Sequence, residues 1–380
     1  MVAIKYTEQH QMFRQSLRKF YEKEVVPYYK KWEEEMNVPR SVWKKFGSQG
    51  FLCPWIPEKY GGSGLGFEYS VIAIEEMARA DVGIPFGLHS DVVVPYIHLI
   101  GNEEQKQKWL PGCASGDILT AVAMTEPSTG SDLAAIQTTA VKDGSDYIIN
   151  GQKVFITNGL NADIVIVACK TGNDEKRHRN LSLIVVDADT PGFEKSAPLK
   201  KMGRHLDGTV ELFFEDCRVP QENLLGEEGK GFYYLMQNLQ QERIVAALGS
   251  LLAAEKMYNE ALTYAKERKA FGRRISSFQA NSFKLVEMAT EIEIARTFIE
   301  SLINDHLDGK QISVSKVSMA KWWTSEMANR VAYHSLQLFG GYGYMEEYPI
   351  SKHYRNVRVD TIFAGSTEIM KTIIAKELGL

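Results

Sequence analysis

Over residues 121–220 the chain runs in short β-branched stretches punctuated by turn residues, and on both sides of that block it runs in helical periods. Strands confined to one block and helices to two others call for an α+β multi-domain fold. The expected divisions are an N-terminal all-α domain over 1–119, a central β-barrel or sandwich over 120–228, and a C-terminal four-helix bundle over 229–380. In the β block, 140–157 carries two turn signals, Asp143-Gly144 and Asn150-Gly151, between alternating strands. Further strands fall at 164–168, 181–186 and 210–214, and 173–180 is a charged, exposed loop. Four helical periods, at about 232–268, 276–308, 312–339 and 365–378, have short connections and suit a bundle.

The first of these bundle helices carries the leading chemical candidate. Leu235, Leu239, Glu242, Ala246, Gly249 and Ala253 recur at steps of three and four and share one face. That face is apolar or small except for Glu242. A carboxylate so placed loses solvation, its pKa rises, and it becomes a proton acceptor suited to neutral pH. The competing reading is a Glu paired with Arg on a wet helix surface. A second acid, Asp91, sits in the apolar stretch 87–101, which reads as a buried helix kinked by Pro95. Asp91 either caps the N–H of Val93 or Val94, pairs with His89 or a distant cation, or serves chemistry. The glycine-rich loop 57–66 lacks a P-loop lysine and reads as a connector.

Bulk properties narrow the partners. A net charge of −4 gives no reason to expect nucleic acid or an anionic membrane. Cys53, Cys113, Cys169 and Cys217 form no CxxC pair and have no His at zinc-ligand spacing, so core thiols in a reducing compartment are expected and a metal site is not. The start of the chain is polar and helix-patterned. No apolar run approaches the roughly 18 residues a membrane helix needs. A cytoplasmic protein is the expectation.

Three blocks resemble one family. Ala123-Met-Thr125-Glu-Pro-Ser-Thr129-Gly130-Ser131-Asp132 resembles the first signature of the flavin-dependent acyl-CoA dehydrogenases. Gln337-Leu-Phe-Gly340-Gly341-Tyr-Gly343 through Asn356 resembles the second, and Arg268-Lys-Ala-Phe271-Gly272 is similar to the family's flavin-contacting turn. Thr129 departs from the pattern, which usually has a smaller residue there. The resemblance covers essentially the whole chain and implies FAD, held without a covalent bond between the β domain and the bundle. It assigns Met124, Thr125, Gly130 and Ser131, with Phe155, Ile156 and Thr157, to the isoalloxazine and ribityl region. Arg268, Phe271, Ile275, Gln337, Leu338 and Gly341 would bind the FAD of a neighbouring subunit, which implies a homotetramer. Phe155, Ile156 and Ile275 have a competing reading as plain core. Ser366 and Glu368 also fall to the cofactor, while Ser131, Arg243, Phe363 and Gly365 fall to the substrate.

Most members of that family carry the catalytic Glu after an aromatic in the last bundle segment, where this chain has Phe363-Ala364. The long-chain and isovaleryl-CoA types instead carry Glu before Arg on the first bundle helix, which Glu242-Arg243 matches. The resemblance therefore makes Glu242 the base, with the Ala364 backbone N–H polarising the thioester carbonyl and an electron-transfer flavoprotein as acceptor. Asp91 at the far part of the acyl pocket would suit a second base and resembles the branch acting on cyclohexane- or cyclohexene-carboxyl-CoA. Three readings follow: an alicyclic acyl-CoA dehydrogenase using Asp91, an ordinary medium-, long- or branched-chain one using Glu242, and a catalytically silent acyl-CoA- or flavin-binding protein.

Overall fold

A computed structural model describes residues 4–380. The first helical block comprises α1 (Glu8–Phe20), α2 (Tyr29–Glu35), α3 (Arg40–Ser48), α4 (Phe67–Arg79), α5 (Val94–Ile100) and α6 (Glu103–Ser115). Capping boxes start two of them: Thr7 accepts the His10 N–H at α1, and Asn102 accepts the Gln105 N–H at α6. Trp43, Phe46, Phe51 and Phe86 fill the core of this block, with the Phe46 and Phe86 rings stacked at 4.0 Å. The apolar stretch expected as one kinked helix is a π-helical turn, Leu88–Val93, followed by α5. Pro95 lies in the first turn of α5, where its missing N–H costs no hydrogen bond, so the break falls upstream of it.

The middle block holds β1 (Thr120–Ala123), β2 (Thr139–Asp143), β3 (Asp146–Ile156), β4 (Ile164–Lys170), β5 (Leu181–Asp187), β6 (Phe193–Lys195), β7 (Val210–Pro220) and β8 (Leu224–Leu225). Their order is β6-β7-β3-β2-β4-β5-β8, with β1 parallel to β4. A single register pair, Thr139 with Lys170, joins β2 to β4, and the two halves share one core around Tyr147, Val165, Val186 and Leu212. β4 and β5 read as continuous apolar runs because both of their faces are buried. One face meets this core, and the other meets Val92, Trp109 and Leu235 of the helical blocks. Asp143-Gly144 begins the turn between β2 and β3 as expected. Asn150-Gly151 does not turn the chain. It is a bulge inside β3, where the register with β7 slips. Gly151 has φ 148°, and a Cβ there would come within 2.5 Å of the Thr138 hydroxyl oxygen.

The last block is α7 (Gly231–Glu267), a small hairpin of β9 (Lys269–Ala270) and β10 (Arg273–Arg274), then α8 (Gln279–Leu307), α9 (Val314–Phe339), α10 (Pro349–Val357) and α11 (Thr367–Glu377). Three long helices and two short ones replace the four expected. α10 escaped the pattern because nine residues opened by Pro349 are too short to show a helical period. α7 ties the molecule together. Its start packs Leu235 against the β and N-terminal blocks, and its remainder, from Ile244 to Ala265, builds the bundle core. All four cysteines are free and buried.

Candidate functional site

Where the three blocks meet, α7 lines a cavity of about 290 Å³. Glu242, Ala246, Gly249 and Ala253 line it from α7, Gly83 and Gly87 from the segment after α4, Thr157 from the end of β3, and Phe363 and Ala364 from the turn before α11. The lining of α7 continues to Lys256, roughly 20 Å of helix from Glu242. The sequence-derived helix face thus divides in two. Leu235 and Leu239 are buried core, and the four residues from Glu242 to Ala253 face the void. Nothing lies within 4 Å of where a Cβ on Gly249 would be, so this glycine widens the cavity.

Glu242 opens onto this cavity, and its Oε2 has no hydrogen-bond partner among the described residues. Burial pushes its carboxyl up to about 7, against the pull of Arg243 and Lys321. Arg243 is itself buried with its Nε unpaired, and burial lowers its pKa too. The two side chains are not hydrogen-bonded, so the wet-surface ion pair is not what the structure holds. Ala364 lines the same cavity, in the left-handed region at φ 51°, and its N–H meets no acceptor among the described residues. The turn that carries it is clamped from three directions. Lys321 Nζ on α9 donates to the Gly365 carbonyl at 2.5 Å, Ser250 on α7 donates to Asp360 at 2.9 Å, and Arg204 of the β block donates to Asp360 at 2.6 Å. The Arg204 guanidinium also lies 5.1 Å from the Phe363 ring centre. Of the remaining residues assigned there, Ser366 caps α11 by accepting the Ile369 N–H, so its hydroxyl is already engaged, and Glu368 is exposed.

Asp91 does not share this wall. It lines a separate void of about 20 Å³ with Ser70 and Ser90, and Ile74, Met77 and Gly87 border both spaces. Ser70 donates to its carboxylate at 2.5 Å, and burial pushes the group up to about 7. The expected alternatives for Asp91 are not formed: it caps neither Val93 nor Val94, and His89 instead bonds Thr120 and the Cys113 carbonyl.

The residues assigned to the flavin fall on two separate surfaces. On the first, buried Lys153 pairs with Glu126 at 2.8 Å and donates to the Met124 carbonyl, while Val154 N–H binds the Thr125 carbonyl. The loop bearing Met124 and Thr125 is thereby fastened to β3. Thr129, the departure from the family pattern, is accommodated because its hydroxyl donates to the Asp132 carbonyl at 2.5 Å. Gly130 and Ser131 are exposed beyond it. Phe155 is 66% exposed and held at φ 60°, two residues from Thr157 on the cavity wall. A bare aromatic fixed in an unfavourable backbone conformation at this edge fits a planar ring lying against it. Ile156 is corrected: its side chain is in the β core at 3% exposure, leaving only its backbone for a ligand.

The second surface lies at the other end of α7, roughly 40 Å along the helix from Glu242. There Phe271 is 95% exposed at φ 51°, and Arg268 lies 5.7 Å from the Tyr342 ring centre. Gln337 and Gly341 are exposed, whereas Ile275 and Leu338 are half-buried against the bundle core. None of these six lines the cavity that holds Glu242. These residue types (backbone donors with hydroxyls on one surface, a cation with a bare aromatic on the other) suit a flavin dinucleotide, and within one copy the two surfaces lie apart.

Lys321, Arg204 and Asp360 were missed from the sequence. Lys321 had a signal, since it lies on the stripe of α9 that buries Val317, Ala320, Thr324 and Ala328. A lysine there cannot reach water and needs a partner. Arg204 and Asp360 are 156 positions apart and leave no local trace.

Comparison with known proteins matches all three blocks. Models of the acyl-CoA dehydrogenase N-terminal, middle and C-terminal domains match residues 7–117, 121–217 and 229–379. The long-chain specific acyl-CoA dehydrogenase of Mus musculus mitochondria is 45% identical over 98% of this chain and 87% of its own. The mitochondrial isovaleryl-CoA dehydrogenase of Oryza sativa is 35% identical over 99% of this chain and 92% of its own. The crystal structure of an acyl-CoA dehydrogenase from Geobacillus kaustophilus superposes with a TM-score of 0.98, at 56% identity and with both chains fully covered.

Proposed function

The chain belongs to the acyl-CoA dehydrogenase family of FAD-dependent oxidoreductases, and from that premise we propose that it desaturates straight or branched acyl-CoA thioesters with Glu242 as the base. The observation that carries this reading is the unpaired, desolvated Glu242 carboxylate sharing one cavity with Ala364, whose N–H has no acceptor among the described residues. A thioester between them has its carbonyl at the Ala364 N–H and its α-carbon toward Glu242. Donation to the carbonyl acidifies the α-proton, and a carboxyl near pH 7 is matched to take it. FAD, when bound, supplies the hydride acceptor for the β-carbon. Met124, Thr125, Thr157, Phe155 and the backbone of Ile156 would hold it from one chain, and Arg268, Phe271 and Gln337 from another, in a homotetramer. Gly130, Ser131, Ile275, Leu338 and Gly341 complete those two surfaces. Electrons leave to an electron-transfer flavoprotein.

The small and apolar wall from Ala246 to Ala253 supports an extended acyl tail along α7. Ala364 does not silence the site, because α7 supplies an acid to the same cavity. The alicyclic reading needs Asp91 beside the substrate, and its enclosure with Ser70 in a neighbouring void weighs against that. Turnover of a panel of linear, branched and cyclohexene-carboxyl thioesters with an artificial electron acceptor tests the reading. Glu242→Gln should abolish turnover of all of them, and retained turnover refutes the assignment. Sedimentation velocity of the FAD-loaded protein tests the assembly.

A further inference from the structure

Lys321 is 1% exposed, in the first third of α9, and lines neither cavity. A buried ammonium is costly unless its protons are used, and this one donates to the carbonyl of Gly365 at 2.5 Å. We propose that Lys321 is the positioning residue of the carbonyl-binding turn, acting through Gly365 to hold the Ala364 N–H in line with the substrate thioester. The inference rests on the reading of Ala364 above.

The geometry makes the lever short. Gly365 follows Ala364 directly, so a bond to its carbonyl anchors the turn two peptide planes beyond the Ala364 N–H. Ala364 sits at φ 51°, unfavourable for a residue with a side chain, whereas Gly365 at φ 93° is in a region open to glycine. A Cβ on Gly365 would come within 2.5 Å of the Met370 methyl, so a side chain there would displace Met370. The clamp from Arg204 and Ser250 seizes Asp360, four residues upstream, and Lys321 anchors the turn on the downstream side of the donor.

The same cation adjusts the base. Facing Lys321 are Glu242 and Arg243 on α7, Asp360 before the turn, and Glu326 on its own helix. Glu242 in turn faces Arg243 and Tyr96. Burial lowers the Lys321 pKa to about 8, with Asp360 the leading opposing charge, and the protonated form pulls the Glu242 carboxyl down. One side chain therefore bonds the turn and acts on the base through its charge, without contacting substrate.

The test uses the FAD-loaded protein with Lys321→Met, which keeps the length of the side chain and removes donor and charge. With Ala364 misplaced rather than lost, kcat should fall at least roughly tenfold while KM moves less than about threefold. The acidic limb of the pH–kcat profile should move up. Infrared difference spectra of a bound acyl-CoA labelled with ¹³C at the thioester carbonyl should show the stretch moving back toward its value in water. A merely structural lysine would lower the melting temperature and leave the carbonyl stretch and acidic limb where they are, and that result overturns the proposal. If Lys321→Met does not accumulate as folded protein, Lys321→Arg keeps the cation but redirects its donors. It should then restore the acidic limb and not the carbonyl shift, and a wild-type carbonyl stretch in that variant overturns the proposal. Glu242→Gln run in parallel separates the two claims. Turnover surviving there removes the base assignment, whereas a dead Glu242→Gln beside an unaltered Lys321→Met removes only this one.

Discussion

Replacing Glu242 by Gln should make the protein more stable in alkali while it stops turning over. The carboxyl moves from 4.5 to about 7 on folding, chiefly because burial disfavours its charged form. At 1.36 kcal/mol per pH unit, that difference amounts to about 3 kcal/mol. The folded pKa lies above the unfolded one, so the native state binds the proton more tightly. Stability from this group is fully present below about pH 4.5 and is lost as pH rises through about 7. Above pH 7 the wild type holds an ionised carboxylate in a poor solvent, and the neutral amide of Gln does not. The variant should therefore gain up to about 3 kcal/mol over wild type at pH 8.5–9 and match it near pH 4.5. Urea or thermal unfolding of both proteins across that pH range measures the difference, with FAD held at one saturating concentration so that ligand linkage cancels. The kcat/KM profile of the wild type should lose activity below about pH 7. Parallel melting curves at every pH, or an acidic limb near 4.5, would refute the claim that a desolvated base occupies this cavity.

Three further outcomes follow from the geometry. Gly249→Val places methyls in open cavity space and should shorten the longest acyl chain accepted, by roughly fourfold in kcat/KM per excluded methylene, with short thioesters turned over as before. Asp91→Asn should leave kcat on linear thioesters within about twofold of wild type and raise stability above pH 7, since Asp91 ionises there in a buried void; selective loss of a cyclic substrate would instead favour the alicyclic reading. Lys153→Met strands Glu126 as a buried, unpaired charge and frees the Met124 carbonyl, so unfolding free energy should drop by about 3–5 kcal/mol, and FAD should be lost on gel filtration.

What could be learned from the chain as a string was what depends on near neighbours. The helix–strand–helix segregation, the α7 face bearing Glu242, the Asp143-Gly144 turn and the caution over Ile156 all follow from spacings of two to four residues, because backbone geometry repeats over that distance. Errors arose where local chemistry had two outcomes. Asn150-Gly151 suits a tight turn and a bulge equally, and only the pairing with β7 chose the bulge. Nine residues of α10 were too few for a period to emerge. Tertiary packing alone decided which acid meets the substrate space. Glu242 and Asp91 are both desolvated carboxyls pushed to about 7, and no pattern in their flanking residues ranks them. The ranking comes from Asp91 lining a separate small void, with Gly87 and Met77 bordering both it and the larger cavity, and from Lys321, Arg204 and Ser250 of two blocks converging on one turn. Such convergence is set by how helices and strands pack over long separations in the chain, and periodicity carries no information about that distance.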